Sequence, residues 1–170
     1  YEISECLVGS EMCIRDRWVA SRVFAGHSFP WQMKLAVNGT PFPIDDRCGI
    51  PEMIFKGTLE HFSEDKLARF RRRMCGSSGQ TEEFLSHTPT RTAEELREEL
   101  AALALGITAY GSSSFIWDRA IIGNRDKIFP PRNQHEAWQG TEIMETEAEH
   151  YETSLFSRLL EGKGEEWTRH

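Results

Sequence analysis

The sequence predicts an α/β fold, and three observations in its second half support that class. A helix with an apolar stripe begins at Thr92, a short strand follows at Ile107–Tyr110, and small residues then lead to a second helix, Phe115–Ile122, and a second strand, Lys127–Phe129. Helices that alternate with short strands are typical of a parallel sheet covered by helices. We therefore expect helices and parallel strands in one layered unit.

The first 17 residues resemble a translated sequencing adapter. Leu7–Arg17 reads as one frame of a transposase-based library oligonucleotide, and the residues before it continue the same frame. A fusion scar of this kind is set aside before any reasoning about the fold. We expect residues 1–17 to be disordered, ordered structure to begin near Trp18, and the native start of the chain to be missing.

Residues 18–60 are predicted to form an extended β arm or the remainder of a preceding lobe. The pair Asn38-Gly39 is typical of a tight hairpin turn, and two prolines soon after it limit the returning segment to a sheet edge or an irregular path. Met53–Phe55 is apolar and short, as expected of a buried strand.

Residues 61–170 are predicted to form the α/β lobe itself. Ser63 can cap a helix that has two acids in its first turn. Thr92 begins a capping box before a stripe of leucines, and Gly106 is a suitable end for that helix. A long C-terminal helix is expected from Thr141 to about Glu161, where apolar residues recur at helical spacing.

The composition argues against several classes of protein. The net charge is −7, and acids stay in excess when residues 1–17 are set aside, which disfavours nucleic acid as a partner. No apolar run approaches the roughly 20 residues that a membrane helix needs. Cys48 and Cys75 lack metal-ligand spacing and the histidines are scattered, so we expect no metal site. Reduced cysteines favour a cytoplasmic location.

A turn of small residues is the candidate binding site. Gly111, Ser112, Ser113 and Ser114 lie where the predicted strand passes into the predicted helix that begins at Phe115. Backbone N–H groups at a helix start are unsatisfied, and the helix dipole places partial positive charge there. Small residues let a phosphate approach the backbone closely, so a diphosphate is the ligand that this arrangement suits.

The same region resembles a known family. The segments Ser113–Ala120 (Ser-Ser-Phe-Ile-Trp-Asp-Arg-Ala), Ile122–Asn124 and Lys127–Pro131 are similar to the C-terminal lobe of fucosyltransferase-like glycosyltransferases of the GT-B fold. The similarity extends over roughly Glu94–Pro131, about a quarter of the chain. It implies a partial Rossmann-like lobe, cut short at its N-terminus and followed by a long C-terminal helix.

The resemblance also implies a function. A glycosyltransferase of this kind binds a nucleotide-diphosphate sugar, with a GDP-sugar as one candidate donor, and transfers the sugar to a hydroxyl of a glycan acceptor without a further cofactor. The family's serines line the diphosphate pocket, which implies donor contacts for Gly111, Ser112, Ser113, Ser114 and Phe115. The catalytic residues stay unknown, since no basic motif for the leaving diphosphate follows Trp18.

Two alternatives remain open from the sequence. The serine turn could be an ordinary helix cap in a non-enzymatic α/β interaction domain. The helices that begin at Thr92 and Phe115 could instead form a helix-turn-helix that binds DNA, although the second helix offers only Arg119 as a basic residue, offset by Asp118.

Overall fold

The computed structural model describes residues 13–28, 30–31, 33–87, 91–111, 113 and 115–160. Within these residues helix α1 (Cys13–Phe24) precedes strand β1 (Leu35–Val37), and a run of helices comes next: α2 (Glu52–Glu60), α3 (Glu64–Cys75), α4 (Ser78–His87) and α5 (Ala93–Tyr110). The remaining elements are β2 (Arg119–Gly123), α6 (Pro131–Ala137), β3 (Glu142–Thr146) and α7 (Thr153–Leu160).

The three strands form one parallel sheet in the order β1-β2-β3. β2 lies in the centre, and all five of its residues are buried, as expected of a central parallel strand covered on both faces. Val37 pairs with Ile121, and Gly123 pairs with Thr146. The carboxyl ends of the three strands therefore meet at one edge, which we call the carboxyl edge of the sheet.

Helices α2–α5 form a helical insertion, residues 52–110, between two strands that are neighbours in the sheet. The insertion packs through a shared apolar core, which also takes in residues that follow β2 and β3; its main members are Phe55, Leu67, Met74, Phe84, Leu96, Leu100, Leu103, Phe129 and Tyr151. Because Phe129 and Tyr151 flank the carboxyl edge, this core holds the insertion against the sheet.

Two helix starts predicted from the sequence are confirmed in the insertion. The Ser63 hydroxyl accepts a hydrogen bond from the N–H of Lys66 at the start of α3. At the start of α5, Thr92 and Glu95 form the complete capping box, with each side chain accepting a hydrogen bond from the other residue's N–H. Both caps depend on residues three apart in sequence, which is why the local pattern predicts them.

The coarse α/β class is confirmed, but the elements predicted around residue 111 are wrong. Ile107–Tyr110 is the last turn of α5 and not a strand, and the helix ends at Gly111 instead of Gly106. Gly106 makes room for Trp18, since a Cβ there would lie 3.0 Å from Trp18 Cη2. The predicted helix Phe115–Ile122 is instead the approach to β2 and most of that strand, whose β-branched residues suit a buried strand.

Parallel pairing explains three further corrections. Asn38-Gly39 makes no hairpin, because β1 pairs with the distant β2 and not with the segment that follows it. Met53–Phe55 lies in helix α2. The helix expected from Thr141 is replaced by β3, and the shorter α7 begins only at Thr153. The part of the prediction that falls on residue 161 lies outside the described residues.

Helix α1 begins at Cys13, five residues before the expected start of ordered structure. It packs into the fold through Trp18 and Ala20, which are both buried. The adapter origin of residues 1–17 stays a prediction, and the part from 1 to 12 lies outside the described residues. Among the helices that the structure describes, none has the length and apolar character to cross a membrane.

Candidate active site

Asp126 and His150 form a buried pair at the carboxyl edge of the sheet. Asp126 lies three residues beyond the end of β2, and His150 lies four residues beyond the end of β3. Their side chains are 0% and 1% exposed, and His150 Nδ1 is 2.8 Å from Asp126 Oδ2. Adjacent parallel strands thus bring together two residues that are far apart in the chain.

The loop Lys127–Phe129 folds around the carboxylate of Asp126. Oδ1 of Asp126 accepts hydrogen bonds from the N–H groups of Ile128 at 2.8 Å and Phe129 at 2.9 Å. The N–H of Asp126 itself donates to the carbonyl of Gly123 at 3.0 Å. This corrects the strand predicted at Lys127–Phe129, because N–H groups of the loop bond to a side chain and not to a neighbouring strand.

His150 is held through its ring and through its backbone. Its ring stacks on the ring of Phe129, with 6.0 Å between centroids and 16° between planes. The carbonyl oxygen of His150 accepts a hydrogen bond from Asn38 Nδ2 at 2.9 Å. Since Oδ2 of Asp126 acts as the acceptor for Nδ1–H, neutral His150 carries its acceptor lone pair on Nε2. An imidazole in this tautomer can take a proton through Nε2.

Asn38 connects the ends of all three strands. Its side chain is fully buried and its backbone is left-handed, with φ of 47°. Oδ1 accepts from the N–H of Gly123 at 2.8 Å, while Nδ2 donates to the carbonyls of Glu149 and His150 at 2.9 Å each. Asn38 follows β1, Gly123 ends β2, and His150 follows β3. One buried amide therefore fixes the register of the edge at which the pair lies.

A pair of this kind can act as the acid–base part of a nucleophilic hydrolase. The histidine removes a proton from a hydroxyl or thiol nucleophile, and the buried carboxylate orients the imidazole and stabilises its protonated form. In α/β hydrolases the nucleophile lies at a turn from a strand into a helix, and the three residues follow the chain order nucleophile, acid, histidine. Asp126 precedes His150 here, which agrees with that order.

Helix α1 precedes both residues of the pair in the chain, and its residue Arg17 lies beside the carboxyl edge. A Cβ on Gly39 would lie 3.1 Å from Cδ of Arg17 in α1. The N–H of Gly39 in turn donates to Gln134 Oε1 at 2.8 Å. Arg17 therefore lies beside Gly39, whose N–H bonds to the Gln134 side chain that also bonds to Asp126.

The structure places the predicted serine turn elsewhere. Gly111 caps the C-terminus of α5, its N–H bonds to the carbonyl of Ile107, and its own carbonyl accepts from Trp18 Nε1 at 3.0 Å. Ser113 Oγ donates to the carbonyl of Ser21 at 2.6 Å. The segment thus joins the end of α5 to α1, and the helix start that motivated a diphosphate site is not formed by Gly111.

The remaining residues of that prediction divide between described and undescribed positions. Phe115 packs edge-on against Trp117, with 5.1 Å between ring centroids, and its N–H donates to Ser113 Oγ at 3.2 Å. Ser112 and Ser114 lie outside the described residues. Ligand contact by Gly111–Phe115 stays a prediction. The helix dipole no longer supports it, because Gly111 lies at the C-terminal end of α5 and not at a helix start.

Sequence reasoning did not single out Asp126 or His150. A strand prediction at Lys127–Phe129 and a helix prediction from Thr141 hide the fact that each residue follows a buried parallel strand. The usable signal is a short apolar strand followed within four residues by an acid in one case and a histidine in the other. No cluster of three metal-ligating side chains occurs in the part of the chain that the structure describes.

Comparison with known proteins identifies the family. Residues 7–161 match the family model "Pimeloyl-ACP methyl esterase BioG". The match begins inside the segment predicted to be an adapter. The crystal structure of BioG from Haemophilus influenzae superimposes with a TM-score of 0.73 at 42% sequence identity, over 83% of this chain and 64% of that one.

Two curated proteins are similar over most of the chain. A Bacteroides fragilis protein named "Malonyl-[acyl-carrier protein] O-methyltransferase" is 46% identical over 145 residues, which is 84% of this chain and 30% of that protein. An uncharacterized Haemophilus influenzae protein is 42% identical over 142 residues, which is 82% of this chain and 65% of that protein. The chain therefore spans less than two thirds of each of these relatives.

These matches overturn the glycosyltransferase interpretation. The resemblance to fucosyltransferase-like enzymes depended on Glu94–Pro131, whereas the family match covers residues 7–161. The GT-B lobe, the nucleotide-sugar donor and the glycan acceptor were wrong predictions, and the non-enzymatic and DNA-binding alternatives find no support either. A short serine-containing pattern recurs in unrelated folds, because small polar residues suit many turns. By its family match and its structural similarity, the chain belongs to the pimeloyl-ACP methyl esterase BioG family.

Proposed function

We propose that the chain carries the acid–base half of a carboxyl methyl ester hydrolase whose substrate is an acyl group attached to acyl-carrier protein. The observation that supports this most is the buried hydrogen bond between Asp126 and His150 at the carboxyl edge. The family description supplies the substrate class, since it names a pimeloyl-ACP methyl ester. The pair supplies the chemistry that such a hydrolysis requires.

In the proposed reaction a nucleophilic hydroxyl, on the strand-to-helix turn where α/β hydrolases carry it, attacks the carbonyl carbon of the methyl ester. His150 Nε2 accepts the hydroxyl proton as the C–O bond forms, and Asp126 stabilises the resulting imidazolium. The imidazolium then protonates the departing methoxide, which leaves as methanol. Water repeats the sequence on the acyl-enzyme: His150 takes a proton from water, the acyl bond breaks, and the free carboxylate and the regenerated hydroxyl result.

Methyl transfer is the competing function, because the Bacteroides fragilis relative is named a methyltransferase. This chain matches 30% of that protein, so the name describes a protein of which most lies outside the match. The Asp126–His150 pair of this chain suits ester hydrolysis. Both names involve an acyl group on acyl-carrier protein, and that shared substrate class supports the proposal.

The test is an ester hydrolysis assay on a chimaera. Trp18 and the residues after it are joined to the N-terminal part of the Haemophilus influenzae relative, which supplies the strand and turn before α1. We expect the chimaera to convert methyl pimeloyl-acyl carrier protein to the free acid, observed by mass spectrometry. We also propose that residues 1–17 supply no nucleophile, so the 170-residue chain assayed alongside should be inactive.

The decisive variant of the chimaera is His150→Ala, with His135→Ala as its matched control. His135 lies on α6 and pairs with Glu145 at 3.4 Å on a more exposed surface, so its loss should leave hydrolysis within about twofold. Removal of a general base lowers the rate by roughly 10⁴-fold or more. Full activity of a folded His150→Ala chimaera, checked by circular dichroism, would contradict the proposal.

The cellular location belongs to the same proposal. Neither Cys48 nor Cys75 forms a disulfide, which agrees with the cytoplasmic location expected from the sequence. Burial, followed by the negative charge of Asp45, raises the pKa of the Cys48 thiol. A thiol in this state is a poor nucleophile at neutral pH, so Cys48 is not our candidate for the nucleophile.

A further inference from the structure

A second side chain donates to the carboxylate oxygen that holds His150. Gln134, on α6, is fully buried. Its Nε2 is 3.0 Å from Asp126 Oδ2, the same oxygen that lies 2.8 Å from His150 Nδ1. With the two N–H groups of the loop on Oδ1, the carboxylate accepts four hydrogen bonds, which fills its ordinary acceptor capacity.

The surrounding groups fix which end of the Gln134 amide faces Asp126. Oε1 accepts from the N–H of Gly39 at 2.8 Å, and an N–H can bond only to the oxygen end. Nε2 then faces two acceptors, Asp126 Oδ2 and the carbonyl of Phe129 at 2.9 Å. A flipped amide would lose all three hydrogen bonds, so the orientation is set by the protein.

We propose that Gln134 is a positioning residue of the hydrolase, which holds the Asp126 carboxylate in the orientation that fixes His150. This inference rests on the proposed function for its kinetic consequence, but not for its structural one. Through Oε1 and Gly39 the same amide connects the carboxylate to the chain that leaves β1. The pair is thereby tied to every strand of the sheet, through Asn38 on one side and Gln134 on the other.

The physical basis is competition for one oxygen. Two donors on Oδ2 divide its acceptor strength and restrict rotation of the carboxylate, so the His150 hydrogen bond keeps one direction. Loss of the amide donor leaves His150 as the single side-chain donor on Oδ2, which shortens that bond while the carboxylate gains rotational freedom. Gln134 is fully buried and acts on the reaction through Asp126, so its loss should lower the turnover number and leave substrate affinity unchanged.

A neighbouring amide provides the matched control. Asn133 is also buried on α6, and its Nδ2 donates to the carbonyls of Asp46 at 3.1 Å and Gly49 at 2.8 Å. Like Gln134, Asn133 donates hydrogen bonds through a buried amide, but its acceptors lie in the loop 46–49 and not in the acid–base pair. A role that is merely structural predicts similar outcomes for loss of either amide, whereas a positioning role separates them.

The first experiment uses the 170-residue chain and requires no activity. Proton NMR with ¹⁵N-labelled histidine follows the downfield resonance of His150 Nδ1–H in the wild type, in Gln134→Met and in Asn133→Leu. We expect the resonance to move further downfield in Gln134→Met and to stay in place in Asn133→Leu. If Gln134→Met does not fold, Gln134→Leu also removes the amide donor, and its resonance should also move. An unchanged resonance in the folded variant would overturn the inference.

The second experiment repeats these variants in the chimaera. For Gln134→Met we expect kcat to fall about tenfold with KM unchanged, and for Asn133→Leu we expect both constants within about twofold of the wild type. A shifted resonance in a chimaera that hydrolyses no ester supports the positioning of the pair and refutes the proposed function. An active chimaera whose Gln134→Met variant keeps its full kcat refutes the positioning role and leaves the function standing.

Discussion

The carboxyl edge of the sheet and the helical insertion are held together by different forces. At the edge, buried polar side chains bridge strands that are far apart in sequence: Asn38 bonds to Gly123 and His150, and Gln134 bonds to Asp126. In the insertion, apolar side chains form the core, and helix caps satisfy backbone groups a few residues away. Both regions are well packed, but they depend on different kinds of residue.

This difference predicts whether a substitution changes turnover or the free energy of unfolding. A buried polar group that loses its hydrogen-bond partner still carries the cost of its removal from water. At the carboxyl edge, the group that would lose a partner is Asp126 of the acid–base pair. An apolar group of the insertion contributes through transfer from water and through packing. We therefore expect substitutions at the edge to change turnover most and substitutions in the insertion to change the free energy of unfolding.

The largest expected effect is from Asp126→Asn in the active chimaera. The amide keeps the size of the carboxylate but cannot stabilise a His150 imidazolium, and its NH₂ group favours the wrong imidazole tautomer. We expect kcat to fall by about 10³- to 10⁴-fold. The measurement is steady-state hydrolysis of methyl pimeloyl-acyl carrier protein.

Asp118→Asn is the control for that loss. Asp118 bonds to the N–H and side chain of Lys34 at the start of β1, and it is 40% exposed. Its activity should stay within about twofold of the wild type. Equal losses in both aspartate variants would show that the edge responds to any change of charge and would remove the distinction between the two regions.

The next effect is on stability, from Leu96→Ala in the insertion. Leu96 is fully buried in the apolar core, and truncation of such a leucine to alanine typically costs 2 to 5 kcal/mol, so we expect a loss of about 3 kcal/mol. Urea unfolding followed by circular dichroism measures it. Leu105→Ala on the same helix is the control, because Leu105 is 73% exposed and should change the unfolding free energy by less than about 0.5 kcal/mol.

Leu96→Ala also tests the comparison itself. The folded fraction of the chimaera with this substitution should keep its kcat, since the apolar Leu96 side chain makes no hydrogen bond to Asp126 or His150. A loss of kcat beyond about tenfold, in conditions where the variant remains folded, would mean that the insertion core positions the pair directly.

A smaller effect is expected from Thr92→Ala. The threonine hydroxyl accepts from the N–H of Glu95 at 3.2 Å, and its loss leaves that N–H without its cap. Loss of an N-cap threonine costs about 1 kcal/mol of stability. The same urea titration measures it, and Thr108→Ala is the control, since the exposed Thr108 hydroxyl donates to the carbonyl of Ala104 in the last turn of α5, away from the N-terminal cap. A change below about 0.3 kcal/mol would show that α5 is fixed by packing alone.

The smallest effect is a dependence of the cap on pH. The Thr92 backbone N–H, followed by the Thr92 hydroxyl, holds the pKa of Glu95 below its ordinary value. A folded-state pKa below the unfolded one gives stability that is present above the unfolded pKa and is lost as the pH falls through the folded pKa. Glu95→Gln should therefore lower the melting temperature slightly at neutral pH and not at all in strong acid, by thermal unfolding across pH. An identical difference at both extremes would contradict the assignment.

The two regions also differ in how far the sequence predicts them. The starts of α3 and α5 at Ser63 and Thr92 follow from residues three apart, and both predictions are confirmed. The α/β class also follows from the mixture of short apolar runs and helical patterns. These features are local, so a single sequence contains the information that determines them.

The edge depends on pairings that no local pattern reveals. Asn38-Gly39 reads as a hairpin turn, yet Asn38 lies at the end of a parallel strand with its amide buried between β2 and β3. Ile121 and Ile122 fit a helix or a strand equally well, and their burial in the centre of the sheet decides between the two. Asp126 and His150 then become neighbours only after the sheet has formed. Spacing along the chain therefore does not predict that these two residues meet.

The pairing of β1 with β2 has a consequence for engineering. The chain leaves β1 after Val37 at the carboxyl edge and enters β2 at Arg119 at the opposite edge, so two paired strands fix both ends of the segment that contains the helical insertion. The entropy of closing a chain between such fixed ends grows only with the logarithm of its length, and a doubling costs about 0.6 kcal/mol. We therefore expect the insertion to be replaceable, because a shorter or longer helical segment can join the same two strand ends without a change in the sheet.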